Sequence, residues 1–364
     1  MKRKIRVAVI CGGKSVEHEI SLQSARNVIE AMDREKYDIV LIGIDKEGRW
    51  HLKNLASFEE EIKSSFLPHL APQGDEVVFV PAAGGQLVNL TTGERLQAVD
   101  VVFPVLHGSF GEDGTIQGLL KIAGVPFVGA GVLGSAVAMD KEASKRLLKE
   151  AGIPIGKFLP FTSEEKEKIK FNEVVNYLGL PLFIKPASLG SSVGMDKVKR
   201  EEDFLPVLEK AFRYDSKILI EEYIQGREIE CAVLGNESPR ASCLGEIIPR
   251  YEFYSYEAKY VDPEGALLQI PASLPENIVK EAQRLAIQAF RALFGEGMAR
   301  VDFFLRGEEI LINELNTIPG FTSISMYPKL WEISGIPYPQ LIDELIHLAL
   351  ERKKKEENLQ TFIN

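Results

Sequence analysis

Two alternating periods limit what the first third of this chain can fold into. Val7-Ala8-Val9-Ile10, Ile39 to Ile44 and Val99 to Leu106 are apolar runs of strand length, and helical patterns occupy Ser21 to Met32 and Thr115 to Ala123. Strands that alternate with helices build a parallel sheet, because a parallel crossover needs a connection long enough to hold a helix. Gly124 stands where a helix end favours a left-handed residue. The stretch from about Gly48 to Gln97 shows no period and reads as irregular.

Further along, Asp140 to Ala151 reads as a helix that stops at Gly152, with Pro154 behind it. Thr162-Ser163-Glu164-Glu165 and Ser273-Leu274-Pro275-Glu276 both fit capping boxes. The second would open a helix with Ile278, Ala282, Leu285, Ala289 and Leu293 on one face. Leu182 to Lys185 and Lys217 to Glu221 read as strands flanking a helix around Phe204 to Ala211. The last helix is expected from Pro339 to about Glu351, with Arg352 to Glu357 as a solvated tail of mixed charge.

A chain of 364 residues exceeds one compact core, so two or three domains are expected. The net charge of −10 argues against a general nucleic-acid binder, which needs a basic face. No apolar run is long enough to span a bilayer, and Ile5 to Cys11 reads as a first strand and not a signal peptide. Cys11, Cys231 and Cys243 lack metal-type spacing and read as buried thiols of a reducing cytosol. A cytoplasmic location is therefore expected.

The chemistry concentrates late in the chain. In Ile310 to Asn316 an apolar run passes into alternating polar residues, which puts Glu314 and Asn316 on one face of a strand. Ala299 to Leu305 carries Asp302; a hairpin across Arg306-Gly307-Glu308 would let all three oxygen-bearing side chains converge. Such oxygens suit Mg²⁺ and not zinc or copper. A salt-bridge cluster beside a turn fits the same residues. Pro186 to Gly194 follows a strand ending in Lys185, and its small residues suit phosphate oxygens, although a plain flexible turn fits as well. Glu221-Glu222-Tyr223-Ile224 and Glu228 suit a nucleoside or a solvated strand end. Glu17 follows the first strand, where it suits a substrate ammonium or an acidic helix start. His107 ends another strand, and the aromatic segment Arg250 to Tyr260 suits either a water-excluding lid or a packed surface loop.

Together these segments resemble the ATP-grasp ligases and, within them, the D-alanine–D-alanine ligases. Leu182 to Val198, Tyr254 to Tyr260 and Asn313 to Tyr327 carry the likeness, in the family's order. The resemblance implies an α/β (α+β) architecture of three domains: an N-terminal parallel α/β sheet domain (1–129) and two ATP-grasp subdomains (130–221 and 222–364). It implies a ligase that joins two D-alanines through a D-alanyl phosphate, with ATP and two Mg²⁺ (or Mn²⁺). By the same resemblance Lys141, Lys185, Ser192 and Lys259 attend the phosphates. Glu221, Glu222, Tyr223, Ile224, Glu228 and Asn313 attend the rest of the ATP site, and Asp302, Glu314 and Asn316 hold the metals. Glu17, Ser191, Tyr260 and His107 would surround the first D-alanine, Arg300 and the Gly320 amide the oxyanion, and Ser325 and Met326 the second substrate's carboxylate. Lys259-Tyr260 fits the D-alanine pattern; similar depsipeptide ligases carry a histidine there. Ser255 and Met326 stand where an acidic residue and a leucine are usual, which leaves selectivity toward D-lactate or D-serine open. A homodimer is expected by likeness, and a nucleotide sensor without catalysis is the remaining alternative.

Overall fold

The structure is a computed structural model that describes residues 3–63, 74–249 and 265–360. Strands β1 (Ile5–Gly12), β2 (Tyr37–Ile44), β3 (Trp50–Lys53) and β6 (Val101–Val105) form a first sheet in the order β3-β2-β1-β6. β1 runs parallel to β2 and β6, as the alternation of periods requires, and β3 is an antiparallel edge. From Val7, Val40 and Val101 onward both faces of β1, β2 and β6 are buried, which is why these stretches are continuously apolar. On one face Ala8, Ile10, Ile42 and Val102 pack under α3 (Thr115–Ala123), which ends on left-handed Gly124 as expected. On the other, Val7, Val9, Leu41 and Phe103 pack under α1 (His18–Ala31).

The described part of the supposedly irregular stretch holds β3, α2 (Leu55–Lys63) and a hairpin of β4 (Val77–Phe79) and β5 (Leu87–Asn89). These elements are 3 to 9 residues long, too short for a period to accumulate. Cys11 and Cys231 are buried as expected, whereas Cys243 is only half-buried.

The second sheet, β7-β10-β8-β9, comprises β7 (Phe158–Thr162), β8 (Leu182–Pro186), β9 (Asp196–Val198) and β10 (Lys217–Glu222). Ile184, Ile218 and Ile220 pack against α6 (Phe171–Leu178) and α7 (Glu201–Phe212). The Thr162–Glu165 capping box forms, but it opens a short 3-10 helix, Ser163–Lys168, and not an α-helix.

The third sheet is antiparallel, β13-β12-β11-β14-β15, built from β11 (Arg227–Gly235), β12 (Arg240–Pro249), β13 (Ala266–Gln269), β14 (Gly297–Arg306) and β15 (Glu309–Asn316). Its core takes Ala138 of α4 (Val132–Met139), Leu148 of α5 (Lys141–Glu150) and the expected face of α8 (Glu276–Ala292). The Ser273 capping box is not formed. Pro275, locked in an extended conformation, is the N-cap, so Ser273 lies two positions too early and its carbonyl takes a hydrogen bond from Arg227.

Two helices close the chain, α9 (Met326–Ile333) and α10 (Tyr338–Glu357). α10 runs through the charged segment that the sequence suggests is a solvated tail, and i,i+4 pairs Lys353–Glu357 and Lys355–Glu351 support its last turns. Arg352 is buried: Nη1 donates to the Gly129 carbonyl at 2.6 Å, Nη2 to that of Phe127 at 2.7 Å, and the guanidinium lies over the Phe127 ring. Among the described residues no helix is long and apolar enough to cross a membrane.

Candidate active site

A cleft of about 740 Å³ is lined by strands of the second and third sheets and by residues that follow strands of the first, among them Glu17, His107 and Glu112. The β14–β15 hairpin supplies one wall, turning at Gly307 with a left-handed φ of 63°. Asp302 faces Glu314 and Arg300 faces Asn316 across the ladder; the register slips after Asp302, leaving Asn313 as the extra residue. The convergence expected from the sequence is therefore present. Arg300 forks onto Asp302, Nε and Nη2 each 2.7 Å from a carboxylate oxygen, and the Asn316 amide donates to Asp302 at 3.0 Å. Burial alone would lower the Arg300 guanidinium, but Asp302 and Glu230 hold it well above its ordinary range.

Opposite stand the lysines. Lys185 Nζ lies 2.7 Å from Glu221 Oε2, and Lys145 Nζ 3.2 Å from Glu221 Oε1. Burial works against the Glu221 carboxylate, yet Lys145 and Lys185 keep its pKa below the usual range. Lys185 is raised in spite of burial by Glu221 and Glu314, whereas Lys145 is lowered because burial outweighs Glu221. Lys141 donates to the Leu189 carbonyl at 2.7 Å and sits 3.6 Å from Glu314.

Glu17, just before α1, is buried, accepts the Ser191 hydroxyl on Oε1, and leaves Oε2 buried with no hydrogen-bond partner among the described residues. Ser191 and Ser192 hold successive left-handed φ values of 51° and 58°, which cost about 1 kcal/mol or more each unless the surroundings enforce them. Gly108 lies against Glu17 at a left-handed φ of 73°, which favours glycine, and a Cβ there would stand 2.6 Å from Glu17 Oε2. His107 is buried; burial lowers its pKa, its Nδ1 lies 3.1 Å from the Ile318 carbonyl and its Nε2 3.1 Å from Ser24 Oγ. Ser325 caps the loop before α9, accepting the Thr322 N–H at 2.9 Å. A Cβ on Gly320 would lie 2.6 Å from Ser325 Oγ. Glu222, Tyr223, Ile224, Glu228, Asn313 and Met326 line the same cleft. Lys259 and Tyr260, with the aromatic segment from Arg250, lie outside the described residues.

Among the lining residues to which the sequence reading gave no role are Glu112, Glu230 and Lys145. Glu112 accepts the N–H groups of Gly108 (2.8 Å) and Ile318 (3.1 Å). Burial first, and then Glu17, push its pKa up to about 8. Its position in Gly108-Ser109-Phe110-Gly111-Glu112 was the available signal, since that stretch ends a strand of a parallel sheet. Glu230 and Lys145 had none, as each acts through a residue on another element.

Among the described residues no group of three or more His, Cys, Asp or Glu side chains is placed to hold a metal ion. The hairpin instead offers two carboxylates and an amide, hard oxygens whose charge Arg300 and Lys141 balance. That donor chemistry fits a magnesium-type cation beside polyphosphate.

Comparison with known proteins places the chain in a family. A family model described as D-ala D-ala ligase N-terminus matches residues 6–130, and one described as D-ala D-ala ligase C-terminus matches 147–347. A D-alanine–D-alanine ligase of Oceanobacillus iheyensis is 52% identical over 99% of this chain and 99% of its own. The solved D-alanine-D-alanine ligase of Coxiella burnetii is 39% identical, covers 97% of each chain and superposes with a TM-score of 0.83. A D-Ala:D-Ser ligase of Enterococcus faecalis gives 0.84 at 36% identity, over 95% of this chain and 100% of its own. A Bacillus anthracis D-alanine–D-alanine ligase complexed with ATP gives 0.72 at 28%, over 97% and 99%. With both halves matched in order and the likeness running nearly end to end, the chain belongs to the D-alanine–D-alanine ligase family and has its ATP-grasp fold.

Proposed function

We propose that this chain joins two D-alanine molecules into D-alanyl-D-alanine at the expense of ATP, supplying the dipeptide for peptidoglycan precursors. The observation that carries the reading is Glu17: its buried Oε2 faces the same cleft as the Lys185–Glu221 and Asp302–Glu314 pairs. An amino acid's ammonium is the group such an oxygen attracts. The γ-phosphoryl group of ATP moves to the first D-alanine's carboxylate, breaking its bond to ADP and forming an acyl phosphate. The second D-alanine's amine then attacks the carbonyl carbon; phosphate leaves and the amine gives up a proton.

Lys141, Lys185 and Ser192 orient the phosphates, and Glu221 to Ile224, Glu228 and Asn313 the remainder of the nucleotide. Asp302, Glu314 and Asn316 would hold two Mg²⁺ (or Mn²⁺), which supply charge neutralisation on the phosphates when bound. Glu17 and Ser191 hold the first D-alanine, with His107 nearby as a neutral imidazole. Arg300 and the Gly320 amide face the developing oxyanion, an arrangement worth on the order of several kcal/mol. Ser325 and Met326 receive the second substrate's carboxylate. Resemblance extends these roles to Lys259 on the phosphates and Tyr260 on the first substrate, and also to a homodimer, a cytoplasmic location and the three-part division at 129/130 and 221/222.

Likeness in fold extends equally to a ligase for D-serine, so D-alanyl-D-serine is the second reading. Phosphate release should require D-alanine and divalent cation together; equal release with L-alanine, or with no amino acid, would overturn the proposal. Mass spectrometry of products from mixed D-alanine, D-serine and D-lactate separates the two readings.

A further inference from the structure

Three carboxylates stand in one row across three neighbouring strands of the third sheet. Glu230 on β11 faces Asp302 on β14, and Asp302 faces Glu314 on β15. Residues opposed in this way share a face and approach to about 5 Å at Cβ, so the row is a close set of like charges. The ligase reading uses Asp302 and Glu314. It gives Glu230 no task, although Glu230 is buried and lines the same cleft.

Glu230 meets Arg300. Nε of the guanidinium lies 3.0 Å from Glu230 Oε2 and 2.7 Å from Asp302 Oδ1, so one half-buried cation stands between two carboxylates. The fork onto Asp302 occupies both of its oxygens. A divalent cation at Asp302 needs at least one of those oxygens, and the two demands compete. A guanidinium displaced from Asp302 with no second carboxylate beside it would be a half-buried, uncompensated charge, which is destabilising. Glu230 removes that penalty because it is already in contact.

We propose that Glu230 is a positioning residue that receives Arg300 when Asp302 turns to a divalent cation. The guanidinium then stays in the cleft, and Asp302 is released for the metal. The inference rests on the ligase reading only through the cation at Asp302 and Glu314.

The test begins on substrate-free protein, with free Mn²⁺ counted by electron paramagnetic resonance during titration. Wild type, Asp302→Asn, Glu230→Gln and Glu230→Asp are compared, each checked for folding by circular dichroism. Glu230→Gln should weaken Mn²⁺ binding by about tenfold, the scale seen when a partner behind a metal ligand is lost, and Glu230→Asp should regain most of it. At saturating Mn²⁺, kcat of Glu230→Gln should remain about tenfold down while KM for ATP stays near wild type. Unchanged Mn²⁺ affinity in Glu230→Gln would overturn the proposal. So would full recovery of kcat at saturating Mn²⁺, because Glu230 would then supply only charge. If wild type binds no more tightly than Asp302→Asn, the cation site itself is wrong, a separate failure that removes the ground for both readings.

Discussion

Glu112 is a carboxyl group that the fold keeps protonated near neutrality, because burial and Glu17 raise its pKa to about 8. An unfolded glutamate titrates at about 4.3. Between those values the native state holds a proton that the unfolded state has lost, so this residue makes stability fall as pH rises through the window. Below it both states are protonated, and above about 8 both are ionised. Glu112→Gln sacrifices one acceptor for the Gly108 or Ile318 N–H, a constant offset. Urea midpoints at pH 5, 6, 7 and 8 should therefore show the variant gaining on wild type with each step; a parallel pair of curves would refute the shift. At Glu314, Gln keeps the shape and removes the charge. Turnover should fall by about a hundredfold or more with an unchanged melting curve, and near-normal turnover would show the metal assignment to be wrong. Glu17→Gln should raise KM for the first D-alanine by about tenfold and leave KM for ATP alone, the separation a steady-state analysis reads directly.

The β14–β15 hairpin shows at the level of an element why the site forms. Gly307 turns the chain at a φ of 63°, and a Cβ there would meet nothing within 4 Å. Gly307→Ala should thus cost only backbone strain, about 1 kcal/mol, visible in a denaturation midpoint and absent from KM for ATP. This hairpin was legible in the sequence because two mainly apolar runs flank Arg306-Gly307-Glu308, and period-2 alternation fixes which residues share a face. The helical face of α8 was legible for the same reason, at period 3.6. Where the reading failed, a neighbour decided the outcome. Ser273 lost its cap to the fixed conformation of Pro275. Glu230 looks like any polar residue of β11 until strand order brings it beside Arg300. Lys145 acts through Glu221, 76 positions further along, and no local pattern encodes that register.

For the whole molecule, the decisive contacts tie its end to its beginning. Arg352 of α10 binds the carbonyls of Phe127 and Gly129 and pairs with Glu296 at 3.2 Å, joining the segment after the first sheet to the turn before β14. Arg352→Met would leave two buried carbonyls and a carboxylate without this partner. A loss of about 3 kcal/mol is expected in urea unfolding, and a loss under about 0.5 kcal/mol would mean the clamp is incidental. The same join extends through the apolar core. Val7, Val9 and Phe103 of the first sheet share one buried cluster with Tyr327, Leu330, Leu341, Ile342 and Leu345 near the other terminus. During synthesis, a ribosome that has delivered the chain as far as residue 130 has made every strand of that sheet but not α10, which packs against β6 and α1. That sheet must wait, one greasy side partly bare, until residues 338–357 have been translated.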